Sequence, residues 1–146
     1  MTNDEPIIYL SDFGLSKVLG MTSLTETQTQ VGTPSYMSPE QITDIPLTPA
    51  SDVYALTIVV YETLLHQLSF DVDSSFAMTV AHIEGIPRRP SDIAVNFPAA
   101  LESVLLRGLA KDPLDRYASA RLFYEAFVQA VSSLTEDERH MVYQYI

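Results

Sequence analysis

The most continuous apolar run of the chain, residues 53–65, predicts one long buried helix. Thr48-Pro49-Ala50-Ser51 stands just before this run, and proline is favoured at the first position of a helix. The run is apolar on nearly all sides, yet it is shorter than the roughly 20 residues that a membrane-spanning helix needs. The pattern therefore predicts a helix over about residues 49–66, in the centre of a globular domain.

Further helices follow along the chain. Asp73-Ser74-Ser75 predicts the start of a short helix that runs to about Glu84 and ends at Gly85. Pro98 begins the next helix, and Pro113 stops it. Both of the later apolar stripes are interpreted as core. Their members are Leu101, Leu105 and Leu109 in the first stripe, and Leu122, Phe123, Ala126, Phe127, Ala130 and Val131 in the second.

The two ends of the chain show shorter patterns. Near the amino terminus, residues 7–10 form a β-rich run that predicts a hairpin strand leading to Asp12. At the other end, Thr135 and Glu138 have the spacing of a capping box, which predicts a terminal helix within residues 133–146. That helix could pack on the domain or bind a partner. The predicted fold class is mainly α, with a short N-terminal β-hairpin.

Composition narrows the possible functions. The chain has 146 residues, a formal net charge of −11 and no cysteine. The negative charge argues against binding to nucleic acid or to an anionic membrane, and the absence of cysteine excludes disulfides and thiolate chemistry. His66, His82 and His140 lack metal-ligand spacing, and each is interpreted as an ordinary surface or packed histidine. No signal peptide is recognisable, so the expected location is the cytoplasm.

Two motifs enclose a hydroxyl-rich segment. Asp12-Phe13-Gly14 opens it, and Gly32-Thr33-Pro34-Ser35-Tyr36-Met37-Ser38-Pro39-Glu40 closes it. This order resembles the activation segment of a protein kinase of the bacterial Ser/Thr type, with Ser-Pro-Glu in place of Ala-Pro-Glu. The resemblance continues to about Val131. It implies a partial kinase domain at residues 1–132, namely the helical C-terminal lobe, with an activation segment at 12–40 and a tail at 133–146.

The resemblance assigns roles within the activation segment. Asp12 corresponds to the carboxylate that holds Mg²⁺ against the phosphates of ATP, although by itself it could simply begin a turn with Gly14. Thr25, Thr27 and Thr29 are candidates for activating phosphorylation, and nothing in the sequence selects among them. The alternative for this stretch is an ordinary flexible loop.

The resemblance also assigns the end of the segment. Gly32, Thr33 and Tyr36 belong to the loop that docks the substrate, and Thr33 suits a Ser/Thr kinase. Three other residues receive structural roles. Glu40 and Arg116 correspond to a buried ion pair, and Asp52 corresponds to a carboxylate that binds the backbone of the catalytic loop.

The sequence also departs from the kinase pattern. Thr57 stands where relatives usually carry glycine, and His66 and Ser69 replace a glycine and a proline. The Gly-rich loop, the Lys/Glu pair and the catalytic loop with its base have no match before Asp12. We therefore expect that the N-terminal lobe and catalytic loop are absent, through a real truncation or a misplaced start codon. The chain alone is then not expected to bind ATP and Mg²⁺ or to transfer phosphate.

Three functions stay open from the sequence. The first is a partial Ser/Thr protein kinase domain, whose partners would be a protein substrate or the missing portion of the kinase. The second is a non-catalytic, pseudokinase-like module that binds proteins. The third is an unrelated acidic helical domain whose motif matches arose by chance, which the number and order of the motifs make the weakest.

Overall fold

The computed structural model describes residues 34–143 of the chain. The predicted N-terminal hairpin and most of the activation segment lie outside these residues. The described part contains helices and turns and no strand, so the mainly α prediction is confirmed there. Its α-helices are α1 (Pro39–Ile42), α2 (Pro49–Leu65), α3 (Ser75–Glu84), α4 (Pro90–Ile93), α5 (Ala99–Gly108), α6 (Ala120–Ser132) and α7 (Glu136–Tyr143), and 3-10 turns lie at Pro34–Tyr36 and Pro113–Asp115.

Helix α2 is the centre of the core. Tyr54, Ile58 and Tyr61 are completely buried on it, and the helix packs against both α5 and α6. The prediction of burial on all sides is wrong for one stripe, because Leu56 is 38% exposed and Val59 is 48% exposed. None of the helices described between residues 34 and 143 combines the length and the hydrophobicity needed to cross a bilayer.

The helix ends agree with the capping residues in the sequence. Pro49 is the first residue of α2, and Ser74 caps α3 by accepting a hydrogen bond from the backbone of Ala77. Helix α2 ends at His66, which takes the left-handed conformation with a φ of 53°. Glycine adopts this conformation most easily, so histidine closes the helix at a cost of about 1 kcal/mol relative to glycine.

Helices α5 and α6 pack against each other and complete the core. Leu101, Leu105 and Leu109 are buried, as predicted. The α6 stripe is narrower than predicted, because Leu122 and Val131 at its two edges are exposed while Phe123 and Ala130 are buried. The six apolar residues of the predicted stripe cover a larger part of the α6 surface than the neighbouring helices contact.

The terminal helix α7 packs on the domain. Leu134, just before it, is buried in the core, and Val142 packs against the same cluster. The predicted capping box is present: the Thr135 hydroxyl accepts from the Glu138 N–H, and the Glu138 carboxylate accepts from the Thr135 N–H. Of the two fates considered for this helix, the structure supports packing on the domain.

Candidate functional site

The Pro34–Tyr36 turn, called here the 34–36 turn, is attached directly to the central helix. The N–H of Met37 donates to the Pro34 carbonyl at 3.2 Å and closes the turn. The Tyr36 hydroxyl donates to Oε2 of Glu62 on α2 at 2.7 Å. That hydrogen bond is the main cause that raises the pKa of Tyr36, and burial and the charge of Glu62 add to it. The turn is therefore held on its Tyr36 side by a strong, charge-assisted bond.

Helix α1 follows the turn directly. Ser38 is the capping residue, and its hydroxyl accepts from the Gln41 N–H at 3.4 Å. The Gln41 side chain accepts in return from the Ser38 N–H at 2.8 Å, which completes a capping box. Pro39 occupies the first helical position. This short helix fixes Glu40 in its first turn, where the side chain is buried.

Glu40 forms a buried, two-point ion pair with Arg116. Nη1 of Arg116 donates to Oε1 at 2.7 Å, and Nη2 donates to Oε2 at 3.0 Å. The residues are only 3% and 2% exposed, respectively. The Ser51 hydroxyl, from the first turn of α2, donates to Oε1 at 2.8 Å. This is the pair that the sequence assigned, and it joins residues 76 positions apart.

Arg116 uses all the N–H donors of its guanidinium group. Besides Glu40, it donates to the backbone carbonyls of Ala110, Ala50 and Lys111, at 2.6, 3.0 and 2.9 Å. A guanidinium group has five N–H bonds, and here each has an acceptor. The group also lies over the ring of Tyr54, with 4.8 Å between its central carbon and the ring centroid. Such complete satisfaction is what a buried charge requires.

Opposing effects act on the pKa of Glu40. Burial alone would raise it, but hydrogen bonds from Arg116, from the Glu40 backbone and from Ser51, together with the charge of Arg116, lower it overall. A carboxylate whose pKa is lowered in the folded state stabilises the fold above its ordinary pKa, and that stability is lost as the pH falls through the folded-state pKa. Glu40 is therefore ionised at neutral pH.

A second polar cluster, partly buried and not predicted from the sequence, lies beside the first. Nζ of Lys111 donates to the carbonyls of Ala81 and His82 at the end of α3, at 2.9 and 2.8 Å. Burial and the nearby Arg116 charge lower the pKa of Lys111 to about 8. No short-range pattern marks these residues, because Lys111 and its acceptors are 29 and 30 positions apart.

Asp52 lies in the first turn of α2, and its side chain is exposed. Among the described residues it has no side-chain hydrogen-bond partner or ion pair. Its assigned partners, the backbone groups of a catalytic loop, are not part of the described chain. An acidic residue at this position also suits the positive end of the helix dipole.

The remaining residues assigned from the sequence lie outside the described part of the chain. They are Asp12, Thr25, Thr27, Thr29, Gly32 and Thr33. Between residues 34 and 143, no three His, Cys, Asp or Glu side chains are placed so that they could hold a metal ion. The described residues alone therefore form no such metal site.

Comparison with known proteins identifies the family of this chain. The sequence profile of the protein kinase domain matches residues 1–130. Serine/threonine-protein kinase Pkn1 of Myxococcus xanthus is 39% identical over 129 residues, which cover 87% of this chain and 18% of Pkn1. Serine/threonine-protein kinase PknH of Mycobacterium tuberculosis is 36% identical over 137 residues, which cover 94% of this chain and 22% of PknH.

A third relative gives the same picture. PknB of Lactococcus lactis, a probable serine/threonine-protein kinase by its description, is 37% identical over 134 residues, which cover 90% of this chain and 21% of PknB. The chain belongs to the protein kinase family, and its relatives are bacterial Ser/Thr kinases. It spans about a fifth of the length of these curated relatives.

Proposed function

We propose that this chain is the substrate-docking half of a Ser/Thr protein kinase domain that uses ATP and Mg²⁺ to phosphorylate proteins in the cytoplasm. Residues 1–132 make up the kinase portion, and residues 133–146 form a helical tail that closes the core. The partners are a protein substrate and a kinase portion that carries the nucleotide pocket and the catalytic base.

One observation carries this proposal: the 34–36 turn and the helix α1 that follows it are each anchored to the core. The Tyr36 hydroxyl binds Glu62 on the central helix. Four residues after Tyr36, Glu40 on α1 binds Arg116 and Ser51 in the core. A docking surface must be held rigidly if it is to orient a substrate hydroxyl for phosphoryl transfer. Such double anchoring is the arrangement that a docking loop requires.

The remaining roles are proposed for residues outside the described part. Asp12 supplies one carboxylate ligand for Mg²⁺, a metal that prefers oxygen ligands. Phosphorylation of Thr25, Thr27 or Thr29 adds charge that orders the segment against a nearby cation. Thr33 contacts the catalytic base beside the substrate hydroxyl.

The 146 residues on their own are expected to transfer no phosphate. The printed sequence contains no Gly-rich loop and no match for the loop that carries the base and the second metal ligand. The measurement is incorporation of radiolabelled γ-phosphate from Mg²⁺-ATP into casein by the purified chain. We expect no more incorporation than in a protein-free reaction, and no change in an Asp12→Asn variant.

Two controls make this measurement decisive. Circular dichroism of the same sample shows whether the chain is helical, so that inactivity is not mistaken for unfolding. An active Ser/Thr kinase in a parallel reaction shows that the substrate accepts phosphate. Incorporation by the 146 residues that saturates with ATP and disappears in Asp12→Asn would refute the proposed inactivity.

A non-catalytic protein-binding module is the second candidate, and exposed apolar side chains favour it. Phe76 is 78% exposed and Val80 is 40% exposed, one helical turn apart on α3, and Ile86 just beyond that helix is 90% exposed. Clustered exposed apolar residues mark interaction surfaces in many soluble proteins. Such a module would bind a protein through Phe76 whether or not Asp12 is present. The kinase proposal instead makes Asp12 essential whenever the rest of the kinase is supplied.

A further inference from the structure

His82 is completely enclosed in the structure. It lies on α3 with none of its surface exposed, and its Nδ1 is 3.0 Å from the Tyr54 hydroxyl. The rings of Tyr54 and Phe70 both meet the imidazole edge to face, with centroids 5.7 and 5.0 Å away. These contacts come from α2 and from the segment before α3, so the imidazole ring cannot rotate freely.

The other ring nitrogen of His82, Nε2, has no hydrogen-bond partner in the described part of the chain. Among buried side-chain polar atoms of residues 34–143, Nε2 of His82 is the one without a hydrogen bond. Helix α3 contacts the 34–36 turn, and the backbone carbonyls of Ser35 and Pro34 act on the imidazole by favouring its protonated form. Buried polar nitrogens are nearly always satisfied, so this atom calls for an explanation.

The surroundings of the ring decide which nitrogen carries the proton. Because Nδ1 meets the Tyr54 hydroxyl, Nε2 is the ring nitrogen left for the carbonyls of Ser35 and Pro34. Carbonyls can only accept hydrogen bonds, so an Nε2 without a proton would be repelled by them. The Tyr54 hydroxyl keeps its proton because burial raises its pKa, and it can donate that proton to Nδ1. The favoured neutral form of His82 therefore carries its proton on Nε2, on the side of the 34–36 turn.

Lys111 holds the backbone of His82 in place. Its Nζ donates to the His82 carbonyl, and its ammonium group lies 4.5 Å from the centroid of the Phe70 ring. Burial, followed by the charge of Lys111, lowers the pKa of His82 to about 4, against a smaller opposing effect of the two carbonyls. The other charges of this cluster, Arg116 and Glu40, lie beyond Tyr54 and neutralise each other. His82 is thus neutral at neutral pH.

We propose that His82 is a positioning residue for the 34–36 turn: its imidazole, held by Tyr54, offers the Nε2 proton to the backbone carbonyls of Pro34 and Ser35. This role would hold the turn against α3. The anchors described above lie elsewhere, since Tyr36 binds Glu62 on α2 and Glu40 itself lies on α1. The importance of the turn for substrate docking rests on the proposed function. The positioning itself does not, because it concerns the turn alone.

The test is amide hydrogen exchange measured by NMR on the 146-residue chain and two variants. His82→Met fills similar space without a donor, whereas His82→Gln keeps an N–H donor. The reporter is the Met37 amide, which closes the turn, and the comparator is the buried Leu105 amide in α5. We expect His82→Met to speed exchange at Met37 about 5- to 10-fold relative to Leu105, as for loss of one polar contact, and His82→Gln to preserve the wild-type ratio.

A role in packing alone predicts a different result. In one such result, each variant changes the exchange rates of the Met37 and Leu105 amides by the same factor. In the other, His82→Met and His82→Gln speed exchange at Met37 equally. Either result overturns the proposal. Exchange at Met37 is read without ATP or substrate. A chain that fails in every kinase assay can therefore still support the positioning role of His82, and an active one can still refute it.

A measurement on the unmodified chain covers the case in which a variant fails to fold. The ¹⁵N shifts of the imidazole nitrogens report which nitrogen carries the proton. We expect His82 to be neutral with its proton on Nε2 at pH 7, and to keep that form as the pH falls to about 5. A proton on Nδ1, or an imidazolium at pH 7, would overturn the proposal.

Discussion

Replacing Arg116 by methionine is expected to lower the free energy of unfolding by about 3–5 kcal/mol, because the Glu40 carboxylate is left buried without its cation. The change also removes the donors of three backbone carbonyls, those of Ala50, Ala110 and Lys111. Methionine fills most of the space of the arginine stem, so the loss reflects charge and hydrogen bonding more than an empty cavity. Urea unfolding followed by circular dichroism measures it.

An exposed ion pair on the same domain provides the matched control. Arg121 pairs with Glu125 one helical turn away on α6, and its side chain is 86% exposed. Arg121→Met is expected to cost about 0.5 kcal/mol or less, because water screens exposed pairs. Adding Glu40→Gln to Arg116→Met should recover part of the loss, since the buried charge is gone. Equal small losses for Arg116→Met and Arg121→Met would show that the buried pair does not support the fold.

Replacing Gly108 by alanine is expected to destabilise the domain by about 1–3 kcal/mol, because α5 and α2 touch at this point without room for a methyl group. A Cβ at Gly108 would lie 2.2 Å from Oγ1 of Thr57 and 2.8 Å from its Cγ2. Thr57 cannot move aside easily, since it is fully buried and its hydroxyl donates to the Val53 carbonyl at 2.7 Å. The clash outweighs the roughly 1 kcal/mol by which alanine favours a helix over glycine.

A double-mutant cycle separates this clash from other effects. In a Thr57→Gly background the obstructing atoms are absent, so Gly108→Ala should cost little, with a coupling energy of about 1–3 kcal/mol. Thr63→Gly is the matched control, because Thr63 makes the same bond to the carbonyl four residues earlier but is exposed. Gly108→Ala should keep its full cost in that background. Additive losses for Thr57 and Gly108 would contradict the contact.

The contact between Thr57 and Gly108 also explains a departure noted in the sequence. The kinase resemblance places a glycine where this chain has Thr57. Here the larger residue stands on α2, and the glycine that makes room for it stands on α5. A single sequence shows the substitution at Thr57, but only the fold shows that Gly108 faces it.

Local patterns in the sequence predicted the helices well. Ser74 and Thr135 cap helices where expected, because a cap depends on groups only two or three residues away. Burial was predicted less well. Leu56 and Val59 are exposed on a helix that is apolar on nearly all sides, since burial depends on which elements lie opposite.

Of the long-range polar contacts, one was predicted from the sequence and one was not. The Glu40–Arg116 pair could be assigned only because its motifs resemble those of kinases; spacing alone does not join residues 76 positions apart. The cluster of His82, Tyr54 and Lys111 had no such guide. Its residues come from three separate segments of the chain. The presence of a histidine in the sequence does not show whether its side chain is exposed or buried.

The most direct test of a kinase role is phosphoryl transfer by a chimera. The part of Myxococcus xanthus Pkn1 that precedes its match to Asp12 would be joined to residues 12–146 of this chain. We expect the chimera to bind ATP and to phosphorylate Ser or Thr in a protein substrate, and to lose transfer on Asp12→Asn. A folded chimera that binds ATP yet transfers no phosphate would contradict the kinase role and would favour the protein-binding module.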